Sequence, residues 1–182
     1  MHETDDAVEA RVGDALRETG GTVAVAESLT GGLVCSRLTD VPGSSDYLDR
    51  GAVTYSNDAK LDALAVSRES LDAHGAVSEP VAREMAQGVR DVSATTWGVS
   101  TTGIAGPTGG TPDKPVGLVF VGVAYAAPWG SDDSFARAER YVFEGKRAEV
   151  KTQSATRALS DLLEAVEEVT DSEATSDTAG GV

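Results

Sequence analysis

The sequence predicts an α/β fold, a three-layer α/β/α sandwich around a mixed, mostly parallel sheet. Helical and strand patterns alternate as far as residue 101, which is typical of parallel strands joined by helical crossovers. The most apolar stretch, residues 118–126, predicts an interior strand that is buried on both faces. Residues 134–143 follow without an intervening helix and alternate polar with apolar side chains, which predicts an antiparallel neighbour.

Apolar spacing and turn residues determine the predicted elements of the N-terminal half. Val8, Val12 and Leu16 recur every four residues and two glycines follow them, which is typical of an amphipathic helix. Pro42 and Gly43 keep the next helix from continuing. The elements predicted in this half are helix 5–19, strand 22–26, helix 31–38, strand 51–55 and helix 57–64.

Serine caps and β-branched runs determine the predicted elements of the C-terminal half. Ser67 and Ser78 are good N-caps for two further helices, and the second of these carries Val81, Met85 and Val89 on one face. The elements predicted beyond them are strand 95–101, loop 104–115, strands 118–126 and 134–143, and a long helix 147–169 with an apolar stripe.

The composition predicts one folded domain. At 182 residues with 40% hydrophobic content, the chain can bury one core and does not need a second. We expect this domain to span 1–169, and we expect the polar residues 170–182 to form a disordered acidic tail. No apolar stretch reaches the roughly 18–20 residues that cross a bilayer, so the expectation is a cytoplasmic protein with no membrane partner.

The chain is strongly acidic, with a formal net charge of −15. Nucleic-acid binding needs clustered Lys and Arg, so we expect no nucleic-acid partner, although one or two local cations can still hold a small phosphorylated ligand. The acidity also favours a surface adapted to a salt-rich cytoplasm. Cys35 is the only cysteine and His2 and His74 are the only histidines, so we expect no metal site.

The segment VAVAESLTGG, residues 23–32, is the first candidate for a functional site. An apolar strand leads into Ser28, Thr30, Gly31 and Gly32 before a helical pattern begins. Hydroxyls and unobstructed backbone at a helix N-terminus can bind an anion or an acyl oxygen. Ser and Thr are also ordinary helix caps and Gly-Gly is ordinary turn material, so the segment alone leaves both interpretations open.

Other loops next to predicted strands also offer hydroxyls, glycines or a cation. In an open α/β sheet such loops tend to collect at one end of the strands, so we expect convergence of segments 27–32, 43–45, 55–60, 102–110 and 143–147. None of them contains a histidine, and Cys35 lies inside a predicted helix where we expect burial. The remaining nucleophile chemistry is a serine activated by a lysine. Lys60 is the best placed lysine, and a solvated helix residue is its alternative.

The segment GIAGPTGG, residues 103–110, is rich enough in glycine and proline for its backbone amides to approach a ligand closely. It has neither the ending of a Walker loop nor a GxGxxG that opens a helix, and a plain surface loop is the alternative. Arg147, at a predicted helix start, has the planar fork that clamps a phosphate, although an arginine there is also commonly just solvated.

Five motifs taken together resemble the C-terminal domain of the CinA family: AESLTGG, PGSSDYLDRGAVTYSNDAK, HGAVSEPVAREMA, GIAGPTGG and KPVGLVFVGVA. The resemblance runs in one uninterrupted order over 8–163. This domain also occurs alone as a nicotinamide mononucleotide deamidase. The resemblance therefore implies an amidohydrolase, without a cofactor, that converts nicotinamide mononucleotide and water to nicotinic acid mononucleotide and ammonia in pyridine nucleotide salvage.

The resemblance also implies roles for individual residues. Ser45 and Lys60 would form the catalytic dyad, with Tyr55 lining the same pocket and Ser28 contacting the substrate or the oxyanion. One sequence leaves open whether Ser45 or Ser28 is the nucleophile, and we favour Ser45. The residues expected to bind the substrate, with Arg147 on its phosphate, are Thr30, Gly31, Thr102, Gly103, Gly106 and Arg147.

Two other function classes stay open. Such a pocket can hold a nucleotide without hydrolysing it, and the family's historical name suggests a competence or DNA-damage accessory protein that acts through protein contacts. The presence of Ser28, Ser45, Tyr55 and Lys60 favours the enzyme, because a pure binding module needs no base. We also expect a homo-oligomer, since a small sandwich often buries a sheet edge or helix face against a copy of itself.

Overall fold

The computed structural model describes residues 7–179, and for 176–179 it describes the backbone alone. A short 3₁₀ turn, Ser44–Asp46, lies between the second helix and the second strand. The helices and strands, in chain order, are α1 (Val8–Thr19), β1 (Val23–Glu27), α2 (Leu33–Thr39), β2 (Leu48–Val53), α3 (Asn57–Leu64), α4 (Arg68–His74), α5 (Glu79–Ser93), β3 (Trp97–Gly103), β4 (Leu118–Tyr125), β5 (Phe135–Val142) and α6 (Arg147–Ala179).

The strands form one five-stranded sheet in the order β2-β1-β3-β4-β5. β1 pairs in parallel with both β2 and β3, and β4 pairs antiparallel with both β3 and β5. Four strands therefore point in one direction and β4 opposes them. This topology confirms the predicted α/β fold with a mixed, mostly parallel sheet.

Helices cover both faces of the sheet. Successive strand residues point to opposite sides, so alternate residues of one strand pack against different helices. Val25 and Val99 belong to the larger apolar cluster, which also contains residues of α1, α2 and α6. Ala24 and Ala26 belong to a second cluster with residues of α3, α4 and α5. The predicted three-layer sandwich is confirmed.

Small residues let α5 lie directly on the sheet. A Cβ atom on Gly122 would collide with the backbone carbonyl of Ala82 in α5. The Ser100 hydroxyl donates a hydrogen bond to the same carbonyl at 2.6 Å. β3 and β4 are therefore held against α5 by close backbone approach as well as by apolar contact.

The buried Glu27 connects β1 to α2. Its carboxylate accepts backbone N–H groups from Gly32 at 2.9 Å, Val34 at 3.2 Å and Cys35 at 2.9 Å. N–H groups at a helix start have no partner within the helix, and the positive end of the helix dipole favours a carboxylate there. This single side chain therefore holds the turn 28–32 in place.

Two predicted elements need correction. β2 begins at Leu48, three residues before the predicted start, because parallel pairing of Leu48 with Val23 extends the strand beyond its most apolar part. α6 continues to Ala179, so the predicted disorder from residue 170 is wrong for 170–179. That segment is polar but contains no Gly or Pro, and each added residue extends an existing helix at the cost of one residue's freedom. Residues 180–182 lie outside the described part of the chain.

Among residues 7–179, α6 and the other helices all lack the combination of length and hydropathy that a membrane span requires.

Glu27→Gln should destabilise the fold. The amide keeps the shape of the side chain but loses the charge and one acceptor at the start of α2, so we expect the free energy of unfolding to fall by about 1.5–3 kcal/mol in urea titrations. Glu18 is an exposed glutamate of α1, so Glu18→Gln should change it by less than about 0.5 kcal/mol. Equal stability of the two variants would contradict the capping role of Glu27.

Candidate active site

The parallel strands β1, β2 and β3 end at the same edge of the sheet, where ligands bind in open α/β folds. Glu27, the last residue of β1, pairs with Val53 of β2 and Thr101 of β3. Val142 of β5 ends at this edge as well, since it pairs with Leu118 at the start of β4. Four of the five segments expected to converge therefore do so: 27–32, 55–60, 102–110 and 143–147.

Segment 43–45 does not join them. It precedes β2, and Leu48 at the start of that strand pairs with Val23 at the start of β1. Ser45 therefore lies at the amino edge of the sheet, while Lys60 follows the carboxyl end. The six residues of β2 hold the two edges about 17–20 Å apart. The predicted Ser45–Lys60 dyad is wrong, because the two residues flank opposite ends of one extended strand.

Lys60 lies in the first turns of α3 and is 1% exposed. Its Nζ donates hydrogen bonds to the carbonyls of Thr54 at 2.8 Å and Tyr55 at 3.3 Å. Ser28 Oγ is 3.4 Å from Nζ. Within the described part of the chain, Lys60 has no carboxylate partner. Burial without such a partner lowers the pKa of the Lys60 ammonium, because the charged form loses its hydration.

The three partners of Lys60 dictate what a neutral amine does there. A neutral amine has two N–H donors and one lone pair. The carbonyls of Thr54 and Tyr55 only accept, so they take both N–H groups. The lone pair then faces the Ser28 hydroxyl, which is the one of these three partners with a proton to donate. Once Lys60 is deprotonated, its nitrogen is the acceptor for the Ser28 hydroxyl.

Ser28 is held by backbone and side-chain contacts on the turn after β1. Its N–H donates to the Thr101 carbonyl at 3.0 Å, and the hydroxyls of Thr30 and Thr101 are 2.7 Å apart. Gly31 and Gly32 have φ angles of 63° and 99°, a left-handed backbone that suits glycine. Thr30 is thus buried as a support of the turn, while Gly31 is open to solvent.

The backbone N–H groups of residues 29–31 are a second feature of this turn. They make no hydrogen bond to any residue that the structure describes, whereas the N–H of Gly32 is used by Glu27. Unpaired amides beside a serine hydroxyl are able to stabilise an oxyanion.

Thr102 makes a different contact from the predicted one. It is 1% exposed, and its hydroxyl donates to the Ala76 carbonyl at 2.8 Å. Its only hydroxyl proton is therefore used to tie β3 to the segment before α5, and it is not free for the predicted contact with the substrate. The backbone of Gly103 also packs closely against β4, since a Cβ there would lie 2.6 Å from the Leu118 carbonyl oxygen.

Arg147 and Tyr55 meet at the rim of the site. Arg147 Nη2 donates to the Tyr55 hydroxyl at 3.2 Å, and Nη1 donates to the Gly106 carbonyl at 2.9 Å. Gly106 has a φ of 76°, which turns its carbonyl toward the start of α6. Tyr55 is 63% exposed. The structure therefore brings Tyr55, Gly106 and Arg147 together at the carboxyl edge that holds Lys60.

Sequence reasoning missed Lys151. Its Nζ lies 3.7 Å from the position that a Cβ atom would occupy on Gly31. The available signal was its spacing from Arg147, because residues four apart on a helix share a face.

Cys35 is half-buried at the start of α2. Burial, followed by the negative charge of Glu27 and a hydrogen bond to it, raises the pKa of the thiol to about 12. A thiol of this kind carries almost no thiolate near neutral pH, although Cys35 is only partly buried where the sequence predicted burial.

The fold and the site together define a three-layer α/β protein with a serine and a buried lysine at the carboxyl ends of its parallel strands. The model of the CinA C-terminal domain matches residues 5–166. The chain belongs to this family, which confirms the resemblance.

Relatives of known sequence agree. The chain is 50% identical over 166 residues to a CinA-like protein of Chlorobium limicola, which covers 91% of this chain and 38% of that protein. It is 52% identical over 157 residues to a CinA-like protein of Salinibacter ruber, with 86% and 36% covered. The chain thus spans little more than a third of the length of these relatives.

Solved structures support the fold. The competence/damage inducible protein CihA from Agrobacterium tumefaciens is similar with a TM-score of 0.80 at 37% identity, over 88% of this chain and 93% of that one. A CinA superfamily protein from Klebsiella pneumoniae has a TM-score of 0.80 at 30% identity, over 88% and 96%.

The lowered pKa of Lys60 predicts a pH dependence of stability. Between that lowered pKa and the ordinary value of 10.5, the unfolded chain binds more protons than the folded protein, so the free energy of unfolding gains a term that rises with pH. Lys60→Met removes this term. In urea titrations from pH 7 to pH 10, the stability of the wild type relative to the variant should therefore increase with pH.

Lys146→Met is the control for this titration, because Lys146 is an exposed lysine. Its stability curve should run parallel to that of the wild type. A parallel curve for Lys60→Met as well would contradict the lowered pKa of Lys60.

Cys35 should react slowly with iodoacetamide in the folded protein. A pKa of about 12 in place of 9.0 lowers the thiolate fraction at pH 8 roughly a thousandfold. Mass spectrometry of the alkylated protein should show rapid labelling in urea and very slow labelling in buffer. Similar rates under the two conditions would contradict the raised pKa of Cys35.

Proposed function

We propose that the chain hydrolyses the carboxamide of nicotinamide mononucleotide, with Ser28 as nucleophile and Lys60 as the base. The observation that carries the proposal is the buried Lys60 amine, which has two carbonyl acceptors and a serine hydroxyl as its partners. Membership of the CinA C-terminal domain family supports the choice of substrate.

In the first step, the Ser28 hydroxyl transfers its proton to the neutral Lys60 amine as its oxygen attacks the amide carbon. The amide oxygen takes up the negative charge. The backbone amides of residues 29–31, on the turn that follows Ser28, are unpaired, and we assign them as the donors to that oxyanion. Lys60 is then an ammonium held by its two carbonyls.

In the second step, Lys60 returns the proton to the amide nitrogen as the carbon–nitrogen bond breaks. Ammonia leaves and an ester links Ser28 to the nicotinoyl group. A water molecule then attacks the ester carbon and gives one proton to Lys60. That proton passes to the Ser28 oxygen as the ester breaks, and nicotinic acid mononucleotide leaves.

The lowered pKa of Lys60 suits this cycle. A lysine with an ordinary pKa near 10.5 is almost fully charged at neutral pH and cannot accept a proton. Burial increases the neutral fraction without any charged neighbour. The rate should therefore rise with pH through the lowered pKa of Lys60 and then level off.

Two matched serine variants separate the possible nucleophiles. Ser28→Ala should lower ammonia release from nicotinamide mononucleotide by at least about 10³-fold, because the attacking oxygen is removed. Ser45→Ala removes the same atom at the other edge of the sheet and should keep a near-normal rate. Ammonia release is measured with purified protein at high salt.

The outcomes of this experiment are distinct. Loss of activity in Ser45→Ala with activity retained in Ser28→Ala would overturn the assignment of Ser28. If the wild type releases no ammonia but still binds nicotinamide mononucleotide tightly, the proposed hydrolase activity is wrong and the protein is a nucleotide-binding module.

A further inference from the structure

Two cations of α6 face the carboxyl edge of the sheet. Arg147 contacts Tyr55 and Gly106, and Lys151 follows it by four residues. Residues at this spacing lie about 5–6 Å apart on one side of a helix. The Lys151 ammonium lies over the turn that carries Ser28, 3.7 Å from the position of a Cβ on Gly31. Because Gly31 has no side chain, nothing from that residue covers the ammonium.

These two cations are not neutralised within the described part of the chain. Arginines elsewhere, such as Arg37 and Arg157, hold carboxylates at 2.6 Å and 2.9 Å. Arg147 and Lys151 form no ion pair there. Glu149, the acidic residue between them, instead accepts the backbone N–H of Lys146 at 2.6 Å and caps the helix. In a chain of net charge −15, two such cations at one edge form a local site for an anion.

We infer that Lys151 acts with Arg147 to bind the phosphate of the substrate, and that Lys151 makes the protein select a nucleotide over the corresponding nucleoside. This inference rests on the proposed function. A phosphate monoester carries between one and two negative charges at neutral pH and three acceptor oxygens. The planar fork of Arg147 can take two of them, and the ammonium of Lys151 can act as a point charge on the third.

The spacing from Ser28 limits the ligand. Ser28 and Gly31 are three residues apart, so their backbones are at most about 10 Å apart. A ligand with its carboxamide at Ser28 and its phosphate beside Lys151 is therefore a small molecule, since the two sites lie on one short turn. A nucleoside monophosphate with the amide on its base carries both groups on one small molecule.

Three variants test the role of Lys151. Lys151→Met should raise the KM for nicotinamide mononucleotide by roughly 10-fold or more, with kcat within about twofold, and should leave kcat/KM for nicotinamide riboside unchanged. Lys151→Arg should keep most of the preference for the nucleotide, because the charge is retained. Lys146→Met removes the same charge from an exposed residue next to α6 and should keep the full preference.

Equal losses on nucleotide and nucleoside in Lys151→Met would overturn the inference. A loss of preference in Lys146→Met as large as that in Lys151→Met would do so too, because the effect would then come from net charge. Loss of the preference in Lys151→Arg would contradict a role that depends on charge.

A binding measurement separates this inference from the proposed function. Calorimetric titration of the wild type with ribose 5-phosphate and with ribose requires no turnover. We expect tighter binding of the phosphate ester, and loss of that difference in Lys151→Met. If this result is found but no ammonia is released, the proposed function fails and the inference stands. If the wild type binds the two sugars equally, the inference fails whether or not ammonia is released.

Discussion

The site depends on the way β1 ends. β1 lies between two parallel neighbours, so the ends of three strands meet at one edge. Its last residue, Glu27, is buried as a carboxylate, which is tolerated because the N–H groups at the start of α2 pair with it. These bonds close the turn that holds Ser28 beside Lys60. The same carboxylate helps to raise the pKa of Cys35, so the neighbouring thiol acts as a packing group.

The cations at this edge have different environments and therefore different properties. Lys60 is buried against two carbonyls, so its ammonium is destabilised and the neutral amine is favoured. Arg147 lies in solvent at the rim, and a guanidinium keeps its charge in proteins. Lys151 lies close to Arg147 on the same helix. One edge of the sheet thus combines a lysine whose charged form is disfavoured by burial with charged groups suited to an anion, although the chain as a whole is acidic.

The fold was predictable because its signals are local and repeated. Alternating helix and strand patterns, and two successive strands before α6, were sufficient for the sandwich and the mixed sheet. Lys60 was also identified as the best placed lysine, since it lies a few residues after the end of a strand. The prediction that Ser45 pairs with Lys60 was wrong, because their motifs are close in sequence but lie at opposite ends of β2. The extent of α6 was missed because polar composition was taken as disorder where no helix-breaking residue is present.

Sequence alone was sufficient for the α/β class and the family, and it led to the prediction of a serine and lysine site, since periodicity and motifs are properties of the chain alone. The packing of the folded chain was needed to find that Ser28 is the serine beside Lys60. It was also needed to find that the Thr102 hydroxyl donates to the Ala76 carbonyl. It also decided that Lys151 lies over Gly31. Distances between side chains depend on strand register and on burial, and these arise when separate segments pack together.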